Sequence, residues 1–167
     1  CNPLFYVVQS GTLVKKMNQV GNFNQDFVEK IKELLHSKGL KLKEHNADYL
    51  SKKDIEERAD IVDAMNIAPQ LGVIQTKTVL NKCLAYGIKF DDFINEVYRG
   101  KRWMKWLHDN GAENKFLCSI IAGHYHFSSE SYKNIIEKLK GHEEINETII
   151  NNIMDVIGHY MDAQNGK

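Results

Sequence analysis

The densest group of ionisable side chains lies in the segment Glu44-His45-Asn46-Ala47-Asp48, directly after a short strand-like run. A carboxylate beside an imidazole can act as a proton-transfer pair, because burial and neighbouring charges tune both groups towards neutral pH. The same nitrogen and oxygen atoms can bind a divalent metal such as zinc. We therefore expect Glu44, His45 and Asp48 to be catalytic, with His45 also a metal-ligand candidate. The alternative is that they are solvated loop charges.

Strand geometry limits whether Glu44 and His45 can both act in the same pocket. Adjacent residues of a strand point to opposite faces of the sheet. If the strand continues as far as His45, the two side chains cannot both point into one pocket. One of them is then a supporting or structural residue, and the sequence leaves open which one.

A second candidate is the His-x-His pair formed by His124 and His126. In a strand this spacing puts both rings on one side, where they can bind a metal. We expect His124 to be the second metal-ligand candidate, beside His45. The alternative is that both histidines are hydrogen-bonded polar residues of a loop rich in Tyr and Ser.

Uncharged polar residues follow the other strand-like runs. The segment Gln9-Ser10-Gly11-Thr12 can hold a phosphate or a sugar hydroxyl through backbone N–H groups and hydroxyls. It matches neither a dinucleotide-binding nor a Walker motif, so we expect no nucleotide cofactor. The predicted substrate-binding residues are Gln9, Ser10, Gly11, Thr12, Asn46 and Asn66. A plain turn between strand and helix is the alternative for Ser10 to Thr12.

The elements that must position these loops alternate along the first half of the chain. Apolar runs at residues 4–8, 40–43 and 62–67 predict strands. Helical patterns follow them at 27–35, 54–59 and 73–85. This β-α-β-α-β-α order is typical of an α/β fold with parallel strands, either an open doubly wound sheet or a barrel. In both, the loops after the carboxyl ends of the strands carry function.

The second half of the chain is more helical. Helices are expected at 90–98 and 102–107, after Ser129 and at the end of the chain, whereas residues 116–122 fit a strand or a buried helix equally well. Trp103 and Trp106, near Arg102 and Lys105, predict a helix that packs its aromatic rings inward rather than a nucleic-acid surface. No Gly/Ser-rich linker divides the chain, so we expect a single domain over residues 1–167.

Composition excludes several classes of protein. The 167 residues are 43% hydrophobic and 26% charged, which is typical of a globular domain. The 22 basic and 22 acidic residues cancel, so neither a nucleic-acid nor a membrane partner is expected. No apolar run approaches the ~18 residues that span a bilayer, and no signal peptide is visible. Cys1, Cys83 and Cys118 form no C-x-x-C motif and suit a reducing cytoplasm, where Cys83 and Cys118 are expected to be buried.

Three blocks of the sequence, in order, resemble a known family. They are Val7-Val8-Gln9-Ser10-Gly11-Thr12, Lys43-Glu44-His45-Asn46-Ala47-Asp48-Tyr49 and Ala64-Met65-Asn66-Ile67-Ala68-Pro69. They resemble consecutive blocks of the family of the non-catalytic subunit of class II tagatose-1,6-bisphosphate aldolase. Residues 153–163, with Tyr160 near the end, are similar to that family's last helix.

The resemblance implies a (β/α)8 TIM-type barrel that acts in carbohydrate metabolism. Because a whole barrel typically needs ~250 residues, the chain would be its C-terminal half, with extra C-terminal helices. Glu44, His45 and Asp48 would then face a pocket for a ketose phosphate or related sugar, and His124 would join a metal site. The family implies either an oligomeric subunit that supports a catalytic aldolase or a metal-dependent ketose-phosphate epimerase. A stand-alone α/β small-molecule-binding module without catalysis is the alternative.

Overall fold

The computed structural model describes residues 3–107 and 111–164. The chain divides into two compact units. The first unit comprises Cys1–Ala68 and Gly158–Lys167, and the second comprises Pro69–Ile157. The single domain expected over residues 1–167 stays a prediction.

The first unit is built on a small parallel sheet. In chain order its elements are β1 (Phe5–Val8), β2 (Val14–Lys15), β3 (Asn18–Gln19), α1 (Gln25–Ser37), β4 (Lys41–Glu44), α2 (Lys52–Glu56) and β5 (Ala64–Met65). The order of the parallel sheet is β1-β4-β5, with β4 in the centre. The predicted α/β class with parallel strands is therefore confirmed. Within the described residues the sheet has these three strands and does not close into a barrel.

Capping side chains fix where the helices of the first unit begin. The Asn24 side chain accepts a hydrogen bond from the backbone N–H of Phe27 and begins α1, and Gly39 follows that helix with φ +70°. Ser51 and Asp54 form a reciprocal capping box at the start of α2. Both helices lie in segments predicted to be helical, although α2 starts two residues before the predicted segment.

The hairpin of β2 and β3 was not expected from the sequence. Each strand has two residues, and Lys16 turns the chain with φ +57° and no glycine to mark the turn. The side chain of Gln19 ties the hairpin to the loop after β4. Its Nε2 donates to the backbone oxygens of Asn46 and Asp48, at 2.9 and 3.2 Å.

The two faces of the parallel sheet differ in what covers them. Val8 and Leu42 lie on the face that packs against Val28 and Leu35 of α1 and forms the core of the first unit. Tyr6, Glu44 and Met65 share this face, and strand alternation puts the intervening strand residues on the opposite face. We call this the open face, and it carries Phe5, Val7, Lys41, Lys43 and Ala64. Phe5 and Val7 are 39% and 53% exposed there.

The second unit is helical. Its elements are α3 (Pro69–Tyr86), α4 (Asp91–Gly100), a 3-10 helix (Arg102–Lys105), α5 (Lys115–Ala122), a 3-10 helix (Gly123–His126), α6 (Glu130–Lys140) and the greater part of α7 (Ile145–Gln164). The residues of α7 from Gly158 onwards belong to the first unit. Within the described ranges, no helix is long and apolar enough to cross a membrane.

Several expectations for the second half are now settled. Residues 116–122 are helical, because Asn114 caps α5. The His-x-His pair lies in a 3-10 helix, so the strand spacing that would put both rings on one side is wrong. Trp103 packs inward in the core with Cys83 and Cys118, as predicted. Burial raises the pKa of the Cys83 thiol to about 11, and Cys1 lies outside the described residues.

Candidate functional site

Glu44 ends the central strand as a fully buried carboxylate that is paired with Arg58. The Nε atom of Arg58 lies 2.9 Å from Oε2 and 3.1 Å from Oε1, and the hydroxyl of Ser10 also donates to Oε1. Arg58 is itself only 2% exposed, donates from Nη1 to the Asp54 carbonyl and stacks on Phe23 at 4.0 Å. Both oxygens of Glu44 are therefore engaged, and the carboxylate links β4 to the turn that follows α2.

The loop after β1 is locked to the loop after β4. The hydroxyl of Thr12 donates to the His45 carbonyl at 2.6 Å, and Gln9 Nε2 donates to the Thr12 carbonyl at 2.6 Å. Gly11 has φ +101°, and a Cβ there would lie 2.0 Å from the Asn22 carbonyl oxygen, so only glycine fits.

The predicted substrate-binding residues of the first loop therefore fall into a buried group and an exposed group. The hydroxyls of Ser10 and Thr12 are buried and bonded to protein atoms. Gln9 and Gly11 are exposed. We conclude that Ser10 and Thr12 hold the loop in place, whereas Gln9 and the Gly11 backbone are the accessible groups.

The loop from His45 to Leu50 is held from several sides. Asn46 and Tyr49 adopt left-handed φ values of +56° and +60°. The backbone N–H of Ala68 donates to Asp48 Oδ1 at 3.0 Å, and the Tyr160 hydroxyl donates to the Ala47 carbonyl at 2.8 Å. Asp48 is buried by these contacts. It sits beneath the loop as an anchor for the start of the next segment.

Two tyrosines beside Asp48 are held in the protonated form. Burial raises the pKa of Tyr160 to about 12, and the negative charge of Asp48 adds to the shift. Burial also raises the pKa of Tyr49 well above its usual value, again with a contribution from Asp48. At neutral pH both phenols are therefore protonated and do not act as bases, and the Tyr160 hydroxyl is a hydrogen-bond donor.

Lys43, His45 and Asn66 belong to the other face of the sheet. His45 and Asn66 each follow a strand by one residue, and the backbone N–H of Asn66 donates to the Glu44 carbonyl at 3.0 Å, so the ladder continues. Alternation places all three on the open face, opposite Glu44. Glu44 is buried and His45 is exposed, which agrees with the expectation that the two side chains point to opposite faces.

Arg58 and Lys43 are the important residues that the sequence did not identify. Arg58 lies 14 positions after its partner Glu44, and nothing in the sequence shows which of 22 basic residues meets that carboxylate. Lys43 could have been identified from the sequence, because strand alternation places it on the face opposite Glu44, together with His45. Within the described residues neither Lys41 nor Lys43 forms an ion pair.

The proposed metal ligands His45 and His124 belong to no group of described residues that could hold a metal ion, and their role as ligands stays a prediction. No group of three His, Cys, Asp or Glu residues within 3–107 and 111–164 could hold a metal ion. Both carboxylate oxygens of Glu44 accept hydrogen bonds from Arg58 or Ser10, and His45 lies on the opposite face of the sheet. The donor set near His45 therefore does not fit a zinc ion. His124 belongs to the second unit, where it has other neighbours.

A cavity of about 450 Å³ also opens on the helix-covered side of the first unit, beside Arg58 and Tyr49. Its charged groups already interact with protein atoms. Lys53 lies 3.8 Å from Glu57, Asp54 caps α2, and Arg58 pairs with Glu44. The cavity therefore has fewer available cationic groups for an anionic ligand than the open face has.

Comparison with known proteins finds a similar fold among solved structures. No protein-family model matches the sequence, and no curated protein does. Among solved structures, a probable tagatose 6 phosphate kinase from Sinorhizobium meliloti 1021 superposes with a TM-score of 0.62 at 18% sequence identity. The match covers 96% of this chain and 45% of that one, so the chain spans less than half the length of its structural relative. At this identity the likeness concerns the fold, and it confirms at that level the resemblance indicated by the three sequence blocks.

Proposed function

We propose that the chain forms part of a sugar-phosphate-binding site in carbohydrate metabolism, with the ligand at the carboxyl end of the open face. One observation carries the proposal. Lys43, His45 and Asn66 share that face at one edge of the sheet, while the cluster of Ser10, Glu44 and Arg58 fixes the loops from behind. The likeness to a protein described as a probable tagatose 6 phosphate kinase supports a sugar phosphate as the ligand class.

The chemistry of the accessible groups suits such a ligand. The ammonium of Lys43 and an N–H of His45 would bind the phosphate oxygens through charge-assisted hydrogen bonds. The side-chain amides of Gln9, Asn46 and Asn66 would bind sugar hydroxyls, because an amide can both donate and accept. This assignment keeps four predicted residues, Gln9, His45, Asn46 and Asn66, near the ligand. It gives Ser10, Thr12, Glu44 and Asp48 the task of positioning the loops.

The buried ion pair favours a supporting subunit over an epimerase. A general base must lie within hydrogen-bond reach of the proton that it removes. Glu44 is fully buried with both oxygens engaged, so it does not meet that requirement. We propose a non-catalytic subunit that binds the sugar phosphate and supports a catalytic aldolase. The test is affinity purification of the intact protein: an aldolase should co-purify, whereas a monomer without that partner would favour a stand-alone binding module.

The exposed apolar residues of the open face support a larger barrel. Phe5 and Val7 lie on edge strand β1, and an uncovered apolar strand edge promotes association. In a closed (β/α)8 barrel this face is the interior and further strands pair with β1. The 45% coverage of the structural relative is consistent with the C-terminal half of such a barrel.

Calorimetric titration of the intact protein with ketose phosphates tests the proposed ligand. Tagatose 6-phosphate and fructose 6-phosphate should bind, and free tagatose should bind about tenfold more weakly or worse, because it lacks the charge-assisted contacts. Lys43→Gln should weaken binding of the phosphates. Lys30→Gln, which makes the same change in charge on α1, is the control. Equal affinity for the free sugar and the phosphate, or equal effects of the two substitutions, would contradict the proposal.

A further inference from the structure

The second unit carries a cluster of basic residues that the proposed site does not use. Arg99, Lys101, Arg102 and Lys105 lie within seven positions with no acidic residue among them. α4 ends at Gly100, Lys101 caps it with φ +55°, and the 3-10 helix Arg102–Lys105 begins at once. Because a 3-10 helix has three residues per turn, Arg102 and Lys105 lie on the same side.

Both of these side chains converge on the ring of Tyr125. The guanidinium carbon of Arg102 and the Nζ of Lys105 each lie 5.8 Å from the centre of that ring. Arg102, Lys105 and Tyr125 are all exposed. In the part of the chain that the structure describes, neither cation forms an ion pair. Two neighbouring cations with no acidic partner among the described residues create a local field that attracts an anion.

His124 adds an uncharged polar group to the same surface. Its ring packs on Tyr125 with centroids 4.2 Å apart. Its Nδ1 is buried and has no hydrogen-bond partner among the described residues. Burial lowers the pKa of His124, and the positive charge of Lys105 lowers it further. The lowered pKa favours the neutral ring. Because Nδ1 faces Gly72 of α3, Nε2 is the nitrogen that can donate an N–H to a ligand at the surface.

The position of His124 is set by a glycine of the neighbouring helix. A Cβ at Gly72 of α3 would lie 2.5 Å from the Cβ and 2.8 Å from the Cγ of His124. Real side chains do not tolerate such distances, so the ring can occupy this position only because residue 72 is glycine. The contact with Gly72 thus fixes the imidazole beside Tyr125, the ring on which both cations converge.

We infer that Arg102, Lys105 and His124 bind the phosphate group of a small molecule on the surface formed by Tyr125. Arg and Lys supply charge-assisted donors in the two geometries that suit a tetrahedral oxyanion, a planar fork and a point charge. The site is built entirely from residues of the second unit. It goes beyond the proposed function, because it requires neither Lys43 nor His45. Inorganic phosphate and a phosphate ester share this chemistry.

The test is an NMR titration of the intact protein, labelled with nitrogen-15, with inorganic phosphate at constant ionic strength. Saturable shifts are expected in the amides of residues 100–106 and 123–126. The double variant Arg102→Gln/Lys105→Gln should lower the affinity by about tenfold or more, because two charge-assisted contacts are lost. Lys133→Gln/Lys140→Gln makes the same change in charge on exposed positions of α6 and should leave the affinity unchanged.

A second arm with glycerol 3-phosphate distinguishes the two sources of the phosphate group. Tighter binding of the ester assigns the site to a phosphorylated metabolite, and equal or weaker binding assigns it to free phosphate. The inference is overturned if no saturable shift occurs at residues 100–106 and 123–126, or if chloride produces the same shifts. It is also overturned if the control variant loses as much affinity as Arg102→Gln/Lys105→Gln. Because Lys43→Gln should not affect these shifts, failure here is distinct from failure of the proposed sugar-phosphate site.

Discussion

Glu44 and Arg58 place two opposite charges inside the first unit, where removal from water costs each several kcal/mol. The cost is offset only when geometry is good and the remaining polar atoms are bonded. Here the Ser10 hydroxyl and the Asp54 carbonyl provide those bonds. The pair therefore determines how the loops after β1 and β4 are held.

Loss of Arg58 should be strongly destabilising. Arg58→Leu leaves the Glu44 carboxylate buried without its cation, and we expect the free energy of unfolding to fall by about 3–5 kcal/mol. Urea denaturation followed by circular dichroism measures this change. The double variant Glu44→Leu/Arg58→Leu removes both charges and should lose much less. If the single and double variants are equally unstable, the charge pair is not the source of the stability.

At the residue scale, the sequence predicted which residues of the site lie on opposite faces of the sheet, but not which residues contact each other. Alternation correctly separated Glu44 from His45, because the period of a strand depends on local geometry alone. The partner of Glu44 was beyond reach, because a contact across 14 residues depends on how α2 packs against the sheet. The burial of the Ser10 and Thr12 hydroxyls was hidden for the same reason.

At the scale of elements, the last turns of α7 fasten the loop after β4. The Tyr160 hydroxyl donates to the Ala47 carbonyl at 2.8 Å and accepts from the backbone N–H of Leu50 at 3.2 Å, and His159 contacts the Leu50 carbonyl. All of these residues belong to the first unit. The loop that carries His45 and Asn46 thus depends on a helix more than a hundred positions away.

Tyr160→Phe should loosen that loop. It removes the hydroxyl that serves two buried backbone groups, so we expect a loss of about 1–3 kcal/mol in the free energy of unfolding. The amide of Leu50 should also exchange faster with deuterium, which mass spectrometry measures. Tyr6→Phe makes the same chemical change on an exposed ring of β1 and is the control. Unchanged exchange at Leu50 would mean that the loop is held by other contacts.

The packing of α4 against α6 should depend on pH. The hydrogen bond from the Ser131 hydroxyl, assisted by His126 at 3.3 Å, lowers the pKa of Glu96 below its usual value. A carboxylate with a lowered folded pKa contributes stability above its unfolded pKa of about 4.3, and loses it as the pH falls through the folded value. The stability difference between the protein and Ser131→Ala should therefore be full at pH 6 and shrink below about pH 4.

Urea unfolding at several pH values checks this dependence. Ser37→Ala removes a hydroxyl that donates to the uncharged Leu34 carbonyl, so its effect should stay constant over the same range. A Ser131→Ala effect that is independent of pH would contradict a role for the Glu96 charge.

Elements with strong caps were predictable and short elements were not. Asn24, Ser51 and Ser129 each begin a helix in a segment expected to be helical, because a cap is a local hydrogen bond. The two-residue strands of the β2–β3 hairpin carry no periodicity that could be recognised. The apolar segment at residues 116–122 fitted two structures, because a fully buried helix and a buried strand have the same composition.

At the scale of the whole molecule, the open face connects the fold to the proposed function. Phe5 and Val7 leave an apolar surface on an edge strand, and Lys43 and His45 stand at its carboxyl end. The sequence predicted the parallel sheet from the alternation of strands and helices. It did not decide between an open sheet and a barrel, because three strands fit either architecture.

The most direct test of the central claim is a crystal structure of the intact protein with tagatose 6-phosphate. The phosphate oxygens should lie within about 2.7–3.2 Å of Lys43 Nζ and an imidazole nitrogen of His45, with the sugar hydroxyls near Asn66. The Glu44–Arg58 pair should remain intact behind the loops. A ligand bound instead in the cavity beside Arg58 and Tyr49, with the open face empty, would contradict the account.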